Sequence, residues 1–142
     1  MHDQKRMEIV SKSPQHTMLI AREFVSRLKP GDVVYLYGEL GSGKTVFVKG
    51  VCAGLGVTEE VTSPSFVIAT EYDGSMKVAH IDLYRLPNGG ANDLPIEEYL
   101  VENGITLIEW ADRIGVSKSG ISIKFTIMDH KHRKIEIEDF RN

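Results

Sequence analysis

The run VVYLYGELGSGKTVFVKGVCAGLG at residues 33–56 constrains the fold of this chain more than any other stretch. Val33 to Tyr37 is a short β-branched and aromatic run, the composition of a buried strand. Gly38-Glu39-Leu40-Gly41-Ser42-Gly43-Lys44-Thr45 matches G-x-x-x-x-G-K-[ST] at every specified position. Phe47, Val51 and Leu55 then recur four apart on one helical face, which Gly56 can stop. Strand, glycine-rich turn and helix in that order are the setting in which this motif is a phosphate-binding P-loop.

The chemistry follows from the residue types. Glycines let successive backbone N–H groups turn inward as a concave nest for an anion. The start of the next helix adds its own orphan N–H groups and partial positive charge. Glu39, Leu40, Gly41, Ser42, Gly43, Lys44, Thr45 and Val46 are therefore the expected phosphate cradle. Lys44 can reach the terminal phosphates with a full charge, and the Thr45 hydroxyl suits Mg²⁺.

A chain of 142 residues is expected to form one domain, 1–142, with a sizeable core. Its 17 basic and 20 acidic residues leave a net charge of −3, so no bulk basic charge is available to grip DNA or tRNA directly. One cysteine, Cys52, excludes an internal disulfide and reads as a small apolar core residue on the helix after the P-loop. No apolar run has the length of a membrane span, and the polar start MHDQKR does not resemble a signal peptide. These features predict a cytoplasmic protein with no membrane partner.

Met7 to Val10 reads as a short first strand. Ser13-Pro14 announces a helix, with Ser13 as N-cap and Pro14 at its first position. Thr17, Ile20, Ala21, Phe24 and Leu28 keep helical spacing until Lys29-Pro30-Gly31 ends the element. The segment Thr58 to Phe66, with three hydroxyls around a proline, is either a simple turn or a switch loop sensing the γ-phosphate. Phe66–Tyr72 and Met76–Leu83 read as strands joined by a hairpin at Asp73-Gly74-Ser75.

Two apolar runs end in a carboxylate: Val78 to Asp82, and Ile105 to Glu109. In P-loop folds an acid closing a buried strand beside the loop is the usual Mg²⁺ partner, because strand ends meet solvent at the phosphate edge. Either acid can fill that role. His80, one strand period from Asp82, reads as a core or network histidine rather than a metal ligand. Trp110 is, on residue type alone, a core aromatic. Pro95 to Leu100 is a brief helix, and the alternation through Ile121–Ile127 and Ile135–Ile137 is a hairpin with Asp129–His132 at its turn. The cluster His130 to Lys134 reads as a solvated hairpin tip rather than an RNA contact. The sum is an α/β fold of the P-loop NTPase type. It is a three-layer sandwich on a mixed, mainly parallel sheet of about seven strands, extended by antiparallel hairpins.

Gly-Glu-Leu-Gly-Ser-Gly-Lys-Thr at 38–45, Thr-Ser-Pro-Ser-Phe at 62–66, His-Ile-Asp-Leu-Tyr-Arg-Leu at 80–86 and Leu-Ile-Glu-Trp at 107–110 resemble the four signatures of the TsaE (YjeE) family, in family order. The resemblance implies an ATPase required for threonylcarbamoyladenosine in tRNA. It would act with TsaD and TsaB and meet tRNA indirectly through that complex, with ATP and Mg²⁺ as cofactors. Carried over by motif, Thr45 and Glu109 would bind Mg²⁺, Lys44 would hold the β- and γ-phosphates, and Asp82 would orient or deprotonate the attacking water. Thr62 and Ser65 would belong to the switch loop, Trp110 becomes a functional residue, and Gln15 and Thr17 would approach the adenine. The sequence departs from the family at Ser65, where threonine is usual, and at Ala111, where proline is usual. It also departs in the glycine-containing stretch Pro87 to Pro95.

Two other functions share the P-loop. A small-molecule kinase needs an acceptor site and an arginine-bearing lid, and residues 84–104 offer only Arg85. A nucleotide-gated module would use ATP to order the 58–66 loop, with hydrolysis incidental.

Overall fold

A computed structural model describes residues 5–61, 69–84, 96–113 and 119–141. The strands are β1 (Arg6–Ser11), β2 (Val33–Tyr37), β3 (Ala69–Asp73), β4 (Lys77–Asp82), β5 (Gly104–Glu109), β6 (Ile121–Ile127) and β7 (Arg133–Asp139), and the helices are α1 (Pro14–Phe24) and α2 (Lys44–Gly54). They form one seven-stranded sheet in the order β1-β7-β6-β2-β5-β4-β3. The ladders β6–β2, β2–β5 and β5–β4 are parallel, and the flanking ladders β1–β7, β7–β6 and β4–β3 are antiparallel. This is the expected mixed α/β sheet, with a parallel centre and hairpins at both margins.

Burial explains the arrangement. All of β5 and the first four residues of β2 are buried, as suits central parallel strands covered on both faces. β6 instead alternates Ile121, Ile123 and Phe125 inward with Ser122 and Lys124 outward. One face carries both helices: Phe24, Phe47, Val51 and Cys52 pack on Val34, Leu36, Leu107, Ile123 and Ile135. α1 and α2 approach so closely that a Cβ at Gly50 would lie 2.5 Å from Ala21 Cβ and 2.7 Å from Met18 O. Among the described residues the opposite face is a thinner layer. There Val33, Tyr35, Ile81, Leu83 and Ile108 are covered by Tyr99, Leu100, Trp110 and Phe140. The 3-10 turns Ile96–Tyr99 and Ala111–Arg113 supply part of that cover, and the first replaces the brief helix expected over 95–100.

Several local expectations are met. Ser13 caps α1, its Oγ accepting from His16 N at 3.0 Å, with Pro14 inside the first turn. The Gly74 hairpin docks on the end of α2, where Ser75 N donates to Leu55 O at 2.6 Å. Asp129 shapes the other hairpin tip by accepting from Lys131 N and His132 N at 2.8 Å each. Strand β3 begins at Ala69, and residues 62–68 lie outside the described part.

Candidate nucleotide-phosphate site

The carboxyl ends of β2, β5 and β4 lie side by side. Leu36 of β2 pairs in register with Glu109 of β5, and Glu109 pairs with Asp82 of β4. One residue beyond Tyr37 the P-loop begins, so both candidate acids sit on the edge where β2 gives way to the glycine-rich turn.

The loop itself needs glycine at particular places. Gly38 has φ 151, and a Cβ there would meet Ser42 Oγ at 2.5 Å and Phe125 O at 2.9 Å. Gly43, at φ 109, is the left-handed N-cap of α2. Glu39, Leu40 and Gly41 form an exposed crest with Leu40 68% accessible, while Ser42 is buried beneath it. Val46 is half-buried in the first turn of α2. The initial N–H groups of that helix have no partner within the helix and face the turn that precedes it.

Thr45 and Glu109 are joined directly. The Thr45 hydroxyl donates to Glu109 Oε1 at 2.9 Å and lies 3.1 Å from Oε2. Glu109 is only 2% exposed, and His80 Nε2 lies 2.6 Å from its Oε2. Asp82 is half-buried, its Oδ1 accepting from Tyr84 N at 3.0 Å. Burial pushes the Asp82 carboxyl above its ordinary pKa. The Tyr84 N–H opposes that shift, and the neighbouring Glu109 charge adds to it. A hydroxyl and two carboxylates on one edge are hard oxygen donors of the kind Mg²⁺ takes alongside phosphate and water. Among the described residues there is no group of three or more His, Cys, Asp and Glu able to hold a metal by themselves. The donor set thus fits a cation shared with a phosphate rather than caged by protein.

Lys44 is 4% exposed and folded back on the loop, donating to Gly38 O and, at 2.9 Å, to Glu39 O. Its ammonium stands 4.0 Å from the centroid of the Trp110 ring. Burial lowers its pKa, against the opposing pull of Glu109 and Asp82. Trp110 is the one non-glycine among the described residues with positive φ, at 59. For so bulky a residue this is a strained conformation. It turns the chain sharply after β5, and the indole meets both Lys44 and Tyr84, the latter ring 5.0 Å away.

The other expected residues lie around this centre. Thr17 is buried, its hydroxyl 2.6 Å from Ser11 Oγ and its methyl among the atoms nearest a Cβ at Gly43, so it buttresses the P-loop from α1. Gln15 is exposed on the first turn of α1. Thr62, Ser65 and Arg85 fall outside the described residues. Sequence reasoning missed Arg133, which it left at a solvated hairpin tip. From β7 its guanidinium donates to Gly41 O at 3.2 Å, and to Asp129 O at 2.7 Å and His132 O at 3.1 Å. The first of these contacts tethers the P-loop crest to the β6–β7 hairpin. No spacing rule could have found a contact across 92 positions.

Comparison with known proteins gives a consistent result. A family model described as "Threonylcarbamoyl adenosine biosynthesis protein TsaE" matches residues 11–136. The tRNA threonylcarbamoyladenosine biosynthesis protein TsaE of Bacillus subtilis is 42% identical over 111 residues, covering 78% of this chain and 70% of that protein. The TsaE protein of Treponema pallidum is 34% identical over 134 residues, covering 92% of this chain and 99% of its own length. The crystal structure of YdiB from Bacillus subtilis superposes with a TM-score of 0.82 at 34% identity, covering 99% of this chain and 89% of that one.

Proposed function

The chain belongs to the TsaE family of tRNA threonylcarbamoyladenosine biosynthesis proteins, and from that premise we propose that it binds and hydrolyses Mg²⁺·ATP in the cytoplasm to support TsaD and TsaB in that modification. The observation that carries the reading is the Thr45–Glu109 contact at 2.9 Å beside a glycine nest that ends in Lys44.

The geometry supports one division of labour. The nest and the α2 N-terminus bind the β- and γ-phosphates, and Lys44 leaves its carbonyl partners to pair with them. Thr45 and Glu109 would hold Mg²⁺, which supplies charge neutralisation on the phosphoryl oxygens. Asp82, next in register, orients the attacking water and takes its proton on the carboxylate. Its raised pKa brings it toward the working pH of a general base. In-line attack on the γ-phosphorus breaks its bond to the bridging oxygen and releases inorganic phosphate and ADP.

Lys44 and Trp110 lean on each other, so nucleotide must draw the ammonium off the ring before it can pair with phosphate. Slow turnover by the chain alone is expected, with acceleration by TsaB–TsaD. The test measures ATP turnover with and without those partners while scoring tRNA modification in the same tube. Equal turnover in both conditions, with no effect on modification, overturns the reading. Modification surviving in Asp82→Ala with hydrolysis abolished would favour the nucleotide-gated module instead.

A further inference from the structure

We propose that His80 is a positioning residue for the metal site: its imidazole donates from Nε2 to Glu109 Oε2 and fixes the carboxylate with Oε1 toward Thr45. This deepens the ATPase reading and rests on it, since it concerns the acid assigned to Mg²⁺.

His80 lies in β4 two residues before Asp82, so both share one face of the strand. It is fully buried, and its Nε2 is 2.6 Å from Glu109 Oε2. Its Nδ1 is buried with no hydrogen-bond partner among the described residues. An ionised carboxylate only accepts, so the nitrogen facing Glu109 must carry the proton. The other nitrogen is then best left bare, because buried orphan N–H groups are rarer than under-satisfied acceptors. The ring is therefore held as the Nε2–H tautomer. Glu109 consequently has its two oxygens in different roles. Oε2 is engaged from inside the sheet by His80, while Oε1 has Thr45 as its closer partner.

A histidine with nothing to do but fill space needs no such contact, since leucine would fill the same cavity without a polar atom. Partners of this kind orient a metal-binding carboxylate, and losing one typically costs 10–100-fold in metal affinity. The cost should fall on the cation and leave the nucleotide's own contacts intact.

The experiment uses the full chain and compares ADP affinity by calorimetry in Mg²⁺ and in EDTA, for wild type, His80→Leu and His80→Gln. Glutamine keeps an N–H donor at about the same reach. Expected are an apparent Mg²⁺ requirement raised about 10-fold or more in His80→Leu, unchanged ADP affinity in EDTA, and substantial rescue in His80→Gln. Long-range 1H–15N correlation of the nucleotide-free protein should identify His80 as the Nε2–H tautomer. The proposal is overturned if His80→Leu keeps the wild-type response to Mg²⁺, if glutamine and leucine are equally impaired, or if the ring proton resides on Nδ1. A wild type that binds no nucleotide in either condition sinks the ATPase reading and this inference with it. A wild type that responds to Mg²⁺ beside an identical leucine variant sinks this inference alone.

Discussion

Replacing Thr45 with valine removes a hydroxyl while preserving branching and volume, so the change separates the hydroxyl's polar contacts from packing. That hydroxyl donates to a carboxylate that is 2% exposed, at 2.9 Å to one oxygen with the other at 3.1 Å. Hydrogen bonds to charged groups contribute about 1.5–3 kcal/mol. Thr45 is itself half-buried and His80 Nε2 still lies 2.6 Å from the same carboxylate, which points to the bottom of that range or just below it, about 1–2 kcal/mol. For a domain of this size that corresponds to a fall in melting temperature of about 3–6 °C. The nucleotide-free protein should therefore melt lower as Thr45→Val, measured by calorimetry without Mg²⁺. Thr45→Ser keeps the hydroxyl and should recover most of the loss. The same valine variant should lose the strengthening of ADP binding by Mg²⁺. A valine variant that melts with wild type and keeps its Mg²⁺ response would refute the assignment. A serine variant as impaired as valine would show that the methyl group, not the hydroxyl, matters.

Asp82→Asn should abolish turnover yet raise stability at neutral pH, because burial disfavours the charged carboxylate. An acid whose folded pKa is raised destabilises the fold as pH climbs through its ordinary value and up to the folded one, so the gain should vanish in acid melts below that window. Arg141 pairs with Asp139 at 2.6 Å and Asp32 at 2.7 Å, and its guanidinium holds Asp139 down at about 2. That stabilisation is complete above an ordinary aspartate pKa and lost as pH falls from about 3.8 toward 2, so Arg141→Ala should flatten the acid limb of the stability curve over that range. Arg133→Ala should weaken ADP binding several-fold in calorimetry by freeing the Gly41 crest, with melting temperature shifted by less than about 2 °C. Burial pushes the Cys52 thiol up to about 12, so disulfide reagents should label it only as fast as the native fold opens. Rapid labelling at neutral pH would contradict its place between α2 and the sheet.

Much of this architecture could be read from residue order because local rules and tertiary demands agree. The strand at Val33–Tyr37, the loop and the Phe47–Val51–Leu55 face obey short-range patterns, and burial rewards the same residues. Asp82 and Glu109 were legible because each closes an apolar run. What could not be read is what register decides. His80 was recognisable as a core or network histidine, but its partner depends on β4 sliding against β5 so that Asp82 opposes Glu109. The helix after residue 95 tightened into a 3-10 turn in the thinner layer of the fold. Arg133 was hidden for a similar reason. A basic hairpin tip looks the same in sequence whether it meets water or, as here, a carbonyl of the P-loop.

The Lys44–Trp110 stacking has an optical consequence. Trp110 is the only tryptophan of the chain, so its emission comes from one place, 4.0 Å from the ammonium that would swing away on binding phosphate as proposed. A positive charge leaving the face of an indole changes both the colour and the yield of its fluorescence. On the proposed function the protein carries a built-in reporter, by which unlabelled material would be followed in a stopped-flow instrument as it fills and empties.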